Sequence, residues 1–562
     1  MTVFEDLTEC LRSVIPYYFV LIVPLLIFIS PIDPVKAAQQ FTAFRLHQYD
    51  IQGAKLGSRS SAFNLEAQTS HSKLLSRKCL LLKIMEVSAA SIKLAISQNV
   101  GSIIILLPLK STWDATMKEH ISNLEKELLM DDFAIPIYFA FSTAEVENIY
   151  SNVQQLMESS KSTSAAQALI SSIMSNGYQL YTSSYQTQKP LQDFQITNIF
   201  GKLAGNGIEE QLPTVLIVAH YDSMGMAPSL AFGFDSNGSG VVMMMQLMRI
   251  FSRLYAAQRS QAKYNLGFLL SGGGKLNFIG TKKWLEEIHE VADGSSASST
   301  INTDRLMLAV CLERLGVARD DGISVHVSKP PKEGSSGHRW IEALNYSVTL
   351  LNSSLNVVHK RINLNEDELQ WEHERFSLRK MPALTVSAER DRFTNRKSIL
   401  DDSISVELLA RNTRAVADTL MRLLYGLEDG YGPIIEEHWV MEEAIKADLS
   451  LLTRFPRSQQ LLGPKHPLIL SFERIMRRYL GNNVRLTKIR ADARDPEFVL
   501  YSDAEVTIIA HRVKPALFDF LVACVIIAYL GLVYLFVENF SSICRVVLKI
   551  SITHDKNKEK HT

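Results

Sequence analysis

Thr214-Val-Leu-Ile-Val-Ala-His-Tyr-Asp222 and, shortly after it, Phe232-Gly-Phe-Asp-Ser-Asn-Gly-Ser-Gly240 decide the architecture of this chain. The first is an apolar run that ends on polar residues, the pattern of a strand buried on both faces. The second ends in small residues and leads straight into 239–257, where Met244, Leu247, Met248 and Phe251 recur at helical spacing. A strand, a polar loop and an amphipathic helix in that order make one unit of an alternating α/β domain.

The same alternation continues on both sides. Asn265-Leu-Gly-Phe-Leu-Leu, Leu306-Met-Leu-Ala-Val-Cys-Leu, Ile323-Ser-Val-His-Val and Pro382-Ala-Leu-Thr-Val-Ser are candidate strands, and helices fit at 280–290 and 404–425. Continuous apolar strands between amphipathic helices predict a largely parallel sheet flanked by helices over 161–427. Ligand sites in such sheets lie at the carboxyl ends of the strands. Upstream, Cys79-Leu-Leu-Leu-Lys-Ile, Gly101-Ser-Ile-Ile-Ile-Leu-Leu-Pro and Ile135-Pro-Ile-Tyr-Phe-Ala, with a helical stretch at Ala89–Gln98, predict a small N-terminal α/β lobe over 39–160. A Ser-rich linker beginning at Glu158 follows it. Downstream, 428–514 is predicted as a helical segment from the patterns of Glu436–Leu452 and His466–Leu480.

With 562 residues the chain can hold several domains, and 59 basic residues balance 59 acidic ones, so nothing points to a nucleic-acid partner. Five cysteines are too few for a disulfide framework; Cys79 and Cys311 lie in apolar runs, as a pair or as buried thiols. Residues 1–38 hold an apolar stretch, Val14 to Pro31, followed by Ala37-Ala38, which reads as a signal peptide. Glu5, Asp6 and Glu9 before it are not the basic flank a signal favours, so an uncleaved N-terminal anchor is the alternative. Near the other end, Ala516 to Val537 carries the single charge Asp519 and reaches about 33 Å as a helix, enough to cross a bilayer core. A C-terminal transmembrane helix at 515–537, a cytosolic tail at 538–562 and a lumenal body follow from these two ends. Asn237, Asn345 and Asn352 head Asn-x-Ser tripeptides in that body and are glycosylation candidates; Asn539 would face the cytosol and stay bare.

The polar residues collect where a site would form. His220 and Asp222, two apart on extended chain, point to the same side. An aspartate there can hold the second ring nitrogen of a metal-ligating histidine, though a hydrogen-bonded pair with no metal has the same spacing. Asp235 before Ser239 and Gly240 fits a ligand at a helix start, and equally a capping turn.

Taken in order, His220-x-Asp222, Asp235-Ser-Asn-Gly-Ser-Gly240, Glu313 in Cys311-Leu-Glu-Arg-Leu-Gly and His373 in Trp371-Glu-His-Glu-Arg-Phe resemble the M28 family of zinc aminopeptidases and carboxypeptidases. That resemblance implies two zinc ions bridged by Asp235, His220 and His373 as histidine ligands, and Asp222 as the partner behind His220. Glu313 stands where the family has aspartate. The departure is at Ser271-Gly-Gly-Gly-Lys275, where the family has two adjacent glutamates. Gly274 falls at the general base and Lys275 at a metal ligand, so the resemblance implies a pseudo-peptidase with no cofactor, zinc included. The Lys275 ammonium is placed to pair with Asp235 or Glu313.

The segments Ser271–Lys275, His326-Val-Ser-Lys-Pro-Pro331, Val358-His-Lys-Arg-Ile-Asn-Leu364, Trp371–Phe376 and Arg494-Asp-Pro-Glu-Phe-Val499 are similar to the nicastrin-related, peptidase-like proteins of the endoplasmic reticulum membrane. That narrower resemblance implies a non-catalytic subunit assembled with the Nodal modulator protein and a small multipass membrane protein at the Sec61 translocon. There it would support insertion of multipass membrane proteins and modulate Nodal signalling. Two alternatives stay open: a membrane-anchored zinc metallopeptidase using Glu372 or Glu374 as a substitute base, and a module that holds a peptide terminus without cleaving it.

Overall fold

The computed structural model describes residues 38–70, 76–159, 177–183, 189–209, 211–292, 305–317, 322–366, 368–390, 397–427, 430, 432–492, 494, 496–502, 504–512 and 516–540, with positions 542 and 545 beyond. The signal or anchor segment, most of the Ser-rich linker and most of the tail fall outside them.

The central sheet has eight strands. Thr214–His220 lies at its middle, parallel to Asn265–Ser271 on one side and to Leu306–Leu312 on the other, and Leu306–Leu312 is parallel to Ala383–Ser387. Antiparallel pairings carry the sheet outward, Gln195–Leu203 on Asn265–Ser271 and Gly322–Val327 on Ala383–Ser387. Because side chains alternate along a strand, Val215, Ile217 and Ala219 face one layer while Leu216 and Val218 face the other. The first set packs on helices Gly240–Ala256, Ser336–Leu350, Val406–Tyr425 and Pro467–Leu480. The second packs on Trp284, Leu285 and Phe376. Both faces are covered, which is why these strands read as unbroken apolar runs.

The N-terminal lobe and the C-terminal segment differ from the expectation. The lobe is a closed sheet that takes strands from far along the chain. Ala38–Arg45 pairs with Glu505–Arg512, which pairs in turn with Tyr178–Thr182, and the ring continues through Asn64–Thr69, Cys79–Lys83, Ser102–Leu107 and Ile137–Phe141. Phe44 opposite Phe139 closes it. The segment 428–514 is therefore not simply helical. After helices Glu442–Leu452 and Pro467–Leu480, Arg485–Arg490 adds to the central sheet beside Gln195–Leu203, and Phe498–Leu500 pairs with Gln48–Ile51. In Arg485–Arg490 the two apolar residues, Leu486 and Ile489, fall on opposite faces between the exposed Arg485, Lys488 and Arg490, so no alternation marks the strand.

One carboxylate joins lobe to domain. Glu125, on helix Ala115–Met130, is buried where it accepts the Met226 N–H (2.6 Å) and the Ile399 N–H (3.1 Å). Burial outweighs these donors and pushes its carboxyl up to about 7 from the ordinary glutamate value of 4.5. An acid raised in this way keeps its proton when folded at pH values where the unfolded chain has released it. Its contribution is whole below the unfolded value and is lost as pH rises through the folded one. From pH 4.5 to 8, wild type should lose about 3 kcal/mol relative to Glu125→Gln in urea unfolding. Parallel stability curves for the two proteins would rule out this coupling.

Helix Ala516–Glu538 extends over 23 residues, with side chains described from Val522 on. Over the described residues, whose side chains in this helix begin at Val522, no helix is long and apolar enough to cross a membrane, so the span expected at 515–537 is not shown. The apolar residues that are described stand out from the protein: Val525, Ile527 and Leu532 are 67, 69 and 67% exposed.

Candidate functional site

The sequence-predicted residues meet at the carboxyl ends of the central strands. His220 closes Thr214–His220, Glu313 follows Leu306–Leu312, and His373 opens the short helix His373–Leu378 that precedes Ala383–Ser387. The loop 272–275 leaves Asn265–Ser271, and Asp235 lies in the turn before helix Gly240–Ala256. Gly240 allows this helix to start against the sheet: a Cβ there would stand 2.5 Å from the Leu312 carbonyl oxygen.

His220, Asp222, Asp235, Glu313 and His373 are at most 2% exposed, and Lys275 is 6% exposed. The site is a closed pocket. A groove of about 880 Å³ runs elsewhere, along Ser405–Arg414 and Glu437–Glu443, and is lined by none of these residues.

Inside the pocket the partners differ from the M28 pattern. Asp222 does not hold His220. Its two oxygens accept the N–H groups of Gly274 (2.7 Å) and Lys275 (2.9 Å), so it folds the glycine loop inward. His220 Nδ1 instead meets Glu372 Oε2 at 3.3 Å, while Glu372 Oε1 accepts from the Ser271 hydroxyl at 2.8 Å and from Thr281. Both Glu372 oxygens are therefore engaged, and Glu374, also buried, accepts the Gln370 N–H. Neither carboxylate stands open as a substitute base. His373 Nδ1 meets the Thr385 hydroxyl at 2.8 Å.

Lys275 Nζ lies 3.8 Å from Glu313 Oε1, with both side chains buried. Of the two partners open to Lys275, the structure gives Glu313 as its ion pair. Asp235 is taken by a residue that sequence reasoning passed over, Arg314, whose Nε lies 3.3 Å from Asp235 Oδ2 while its Nη2 lies 3.2 Å from Glu389 Oε1. Asp235 Oδ1 accepts from the Ser239 hydroxyl (2.7 Å) and the Gly316 N–H (2.8 Å). Burial alone would lower the Arg314 pKa; Asp235, Glu389 and Asp401 outweigh it and leave it raised. Asp401, raised by burial and then by the nearby Asp235 charge, caps the Asp235 and Ser236 N–H groups.

A second missed cation is Arg457, wholly buried and aimed at backbone carbonyls: Nε to Phe232 (2.9 Å), Nη1 to Tyr221 (2.7 Å) and Nη2 to Gly233. Its neighbour Gln459 accepts the Gly273 N–H at 2.7 Å. The C-terminal segment thus pins three of the loops around the pocket, those carrying Asp222, Asp235 and Lys275. Nothing local in Arg457 or Gln459 signals this, because every partner lies far away in sequence.

These residues do not fit a pair of zinc ions. Structural or catalytic zinc takes deprotonated ligands that leave a lone pair for the metal. Asp235 is saturated by a hydroxyl, an amide and a guanidinium, and an ammonium faces Glu313. His220 Nε2 is buried without a hydrogen-bond partner, but the carboxylates that would complete a site with it, Asp235 and Glu313, already face Arg314 and Lys275. Among the described residues no three His, Cys, Asp or Glu side chains come together as a metal-holding group.

Burial bears on two sequence expectations. Asn237 is 0% exposed: its amide donates to Leu312 O (2.7 Å) and His220 O (3.3 Å) and accepts from Gly240 N (3.2 Å), which leaves no room for a glycan on the folded protein. Cys79 and Cys311 are separate buried free thiols in different sheets, each pushed up by burial.

Comparison with known proteins agrees with the fold. The pattern of peptidase family M28 matches residues 198–416. A zebrafish (Danio rerio) protein described as BOS complex subunit ncln is 40% identical, over 96% of this chain and 97% of its own. The human (Homo sapiens) BOS complex subunit NCLN is 38% identical over 96% of each chain, and a Caenorhabditis elegans protein described as nicalin is 26% identical over 88% and 89%. Among solved structures, the γ-secretase component nicastrin is similar in fold, with a TM-score of 0.57 at 10% identity, covering 84% of this chain and 99% of that one. From end to end, with an M28 peptidase-like domain at its centre, this chain belongs to the nicalin family.

Proposed function

We propose that this protein is a non-catalytic, peptidase-like subunit of an endoplasmic reticulum membrane complex. The observation that carries the non-catalytic part is Gly274. A Cβ at that position would stand 2.2 Å from His220 Cγ, so no side chain, and no general base, fits there beside the histidine. The names of the relatives support membership of the complex they are described by. In this reading the partners are the Nodal modulator protein, a small multipass membrane protein and the Sec61 translocon. The task is support of multipass membrane protein insertion, with modulation of Nodal signalling alongside it.

The body faces the lumen and the chain is held by Ala516–Glu538 as a single span. The exposed apolar side chains of that helix support this, since a helix bearing them needs a lipid or protein cover. Alkaline carbonate should leave the full chain in the membrane pellet and release a chain truncated after Arg512. On the lumenal side, Asn345 and Asn352 are exposed on and just after helix Ser336–Leu350 and carry the glycans. Asn345→Gln and Asn352→Gln should each remove one endoglycosidase-sensitive mass step, whereas Asn237→Gln should remove none.

The test of function is affinity capture of the full chain from native membranes in mild detergent, with hydrolysis of aminoacyl and dipeptide libraries assayed on the same preparation. Recovery of a defined set of membrane partners and no turnover is the expected result. A chain that purifies alone, or chelator-sensitive hydrolysis abolished by His220→Ala, defeats the proposal.

A further inference from the structure

We infer that Arg314 and Lys275 stand in for the two metal ions of the ancestral site: Arg314 neutralises Asp235 together with Glu389, and Lys275 neutralises Glu313, so that the pocket is held by cations built into the chain. The inference concerns the pocket alone and holds whichever partners the protein has.

Its basis is placement. Lys275 lies in the glycine loop that replaces the two glutamates, and the N–H groups of Gly274 and Lys275 both bind Asp222, which fixes where its side chain sets out. Arg314 immediately follows Glu313 and holds a left-handed backbone conformation, φ +53°, uncommon for a long side chain. That turn is tied on several sides. The Arg314 N–H donates to Asn237 Oδ1 (3.3 Å), and its carbonyl accepts from the Ala388 N–H (2.8 Å) and the Ser387 hydroxyl (3.3 Å). The backbone is bent back so that the guanidinium enters the pocket between two carboxylates from different loops, Asp235 before helix Gly240–Ala256 and Glu389 after strand Ala383–Ser387. A planar guanidinium can bind two carboxylates along different edges, which a single ammonium does less well. The compact ammonium sits on the single Glu313.

The charge balance is consistent. Exchanging two dications and two glutamates for nothing would remove a net two positive charges from the pocket, and Lys275 and Arg314 restore two. Removing one partner of a buried pair leaves the other charge uncompensated in a medium that solvates it poorly. A pocket short of a cation should therefore accept one from solution, a response that ordinary packing does not produce.

The experiment is thermal unfolding of the detergent-purified full chain, with chelator or with added zinc chloride. Wild type is expected to melt at the same temperature in both. Lys275→Met and Arg314→Gln should melt lower than Lys275→Arg and Arg314→Lys, and zinc should raise the neutral pair by several degrees while leaving the charge-retaining pair unmoved. If the neutral variants do not accumulate, their yield from cells grown with and without added zinc gives the same comparison. The inference is overturned if chelation lowers the wild-type melting temperature, if the neutral variants melt with the charge-retaining ones, or if zinc moves neither the melting temperature nor the yield of the neutral pair.

Discussion

Gly274→Glu should abolish folding of the peptidase-like domain rather than return a general base to it. The first atom of any side chain at this position would lie 2.2 Å from His220 Cγ, 2.4 Å from Cδ2 and 2.5 Å from Cβ. The imidazole cannot swing aside, because Glu372 holds Nδ1 and the Phe278 ring stands edge-on at 5.7 Å. Nor can the loop retreat without giving up the Asp222 contacts at Gly274 and Lys275. Gly274→Ala alone should then cost about 1–3 kcal/mol through overpacking. A glutamate adds a buried carboxylate without a counter-charge, worth several kcal/mol more. We expect Gly274→Ala to melt several degrees below wild type and Gly274→Glu to be recovered only as aggregate. A monodisperse Gly274→Glu protein that hydrolyses peptides with zinc would falsify the closed-pocket account.

Arg457→Leu should be nearly as damaging, from outside the ancestral motifs. Arg457 is pulled down to about 10 by burial, with Asp401 and Asp222 acting against the fall. Its guanidinium donates to three carbonyls in the loops that carry Asp222 and Asp235. Leucine fills part of the space but leaves those carbonyls without donors, each costing about 1–3 kcal/mol when buried. A loss of about 3–5 kcal/mol in urea unfolding is expected. Arg457→Lys should recover little of it, because one ammonium cannot reach carbonyls spread along a planar fork. Equal stability of Arg457→Lys and wild type would show that charge, not the fork, is what the loops need.

What could be read from the sequence was what local pattern encodes. Thr214–His220 and Leu306–Leu312 announce themselves because both faces are buried, and Asp235-Ser-Asn-Gly-Ser-Gly240 because a helix must start close to a strand. The pairing of Lys275 with an acidic residue followed from its position, with Glu313 and Asp235 both open. Arg314 was hidden in plain view, since an arginine after a glutamate usually faces water and only its backward turn brings it inside. Asp222 was assigned to His220 because two residues apart on a strand share a side; the amides of a loop fifty positions on, at Gly274 and Lys275, claimed it instead. Glu372 lay beside His373 in the sequence, and its grip on His220 depended on the sheet bringing both together. The strands Arg485–Arg490 and Glu505–Arg512 escaped for a related reason: the first is a short, charge-rich edge strand, the second lies inside the closed sheet, and the partners of both lie far back along the chain.

That last pairing sets an order of events during synthesis. Glu505–Arg512 lies between Ala38–Arg45 and Tyr178–Thr182, so the N-terminal sheet cannot close until nearly all of the chain has been made. At translation rates of about 5–20 residues per second, the first strand waits on the order of half a minute to a minute and a half for its neighbour. Through that interval Phe41, Ala43 and the open edge beside them stay without a partner, and a chaperone or a pre-assembled partner has its best opportunity to hold the nascent chain. Completion of the lobe is thereby tied to the emergence of the stretch that directly precedes helix Ala516–Glu538.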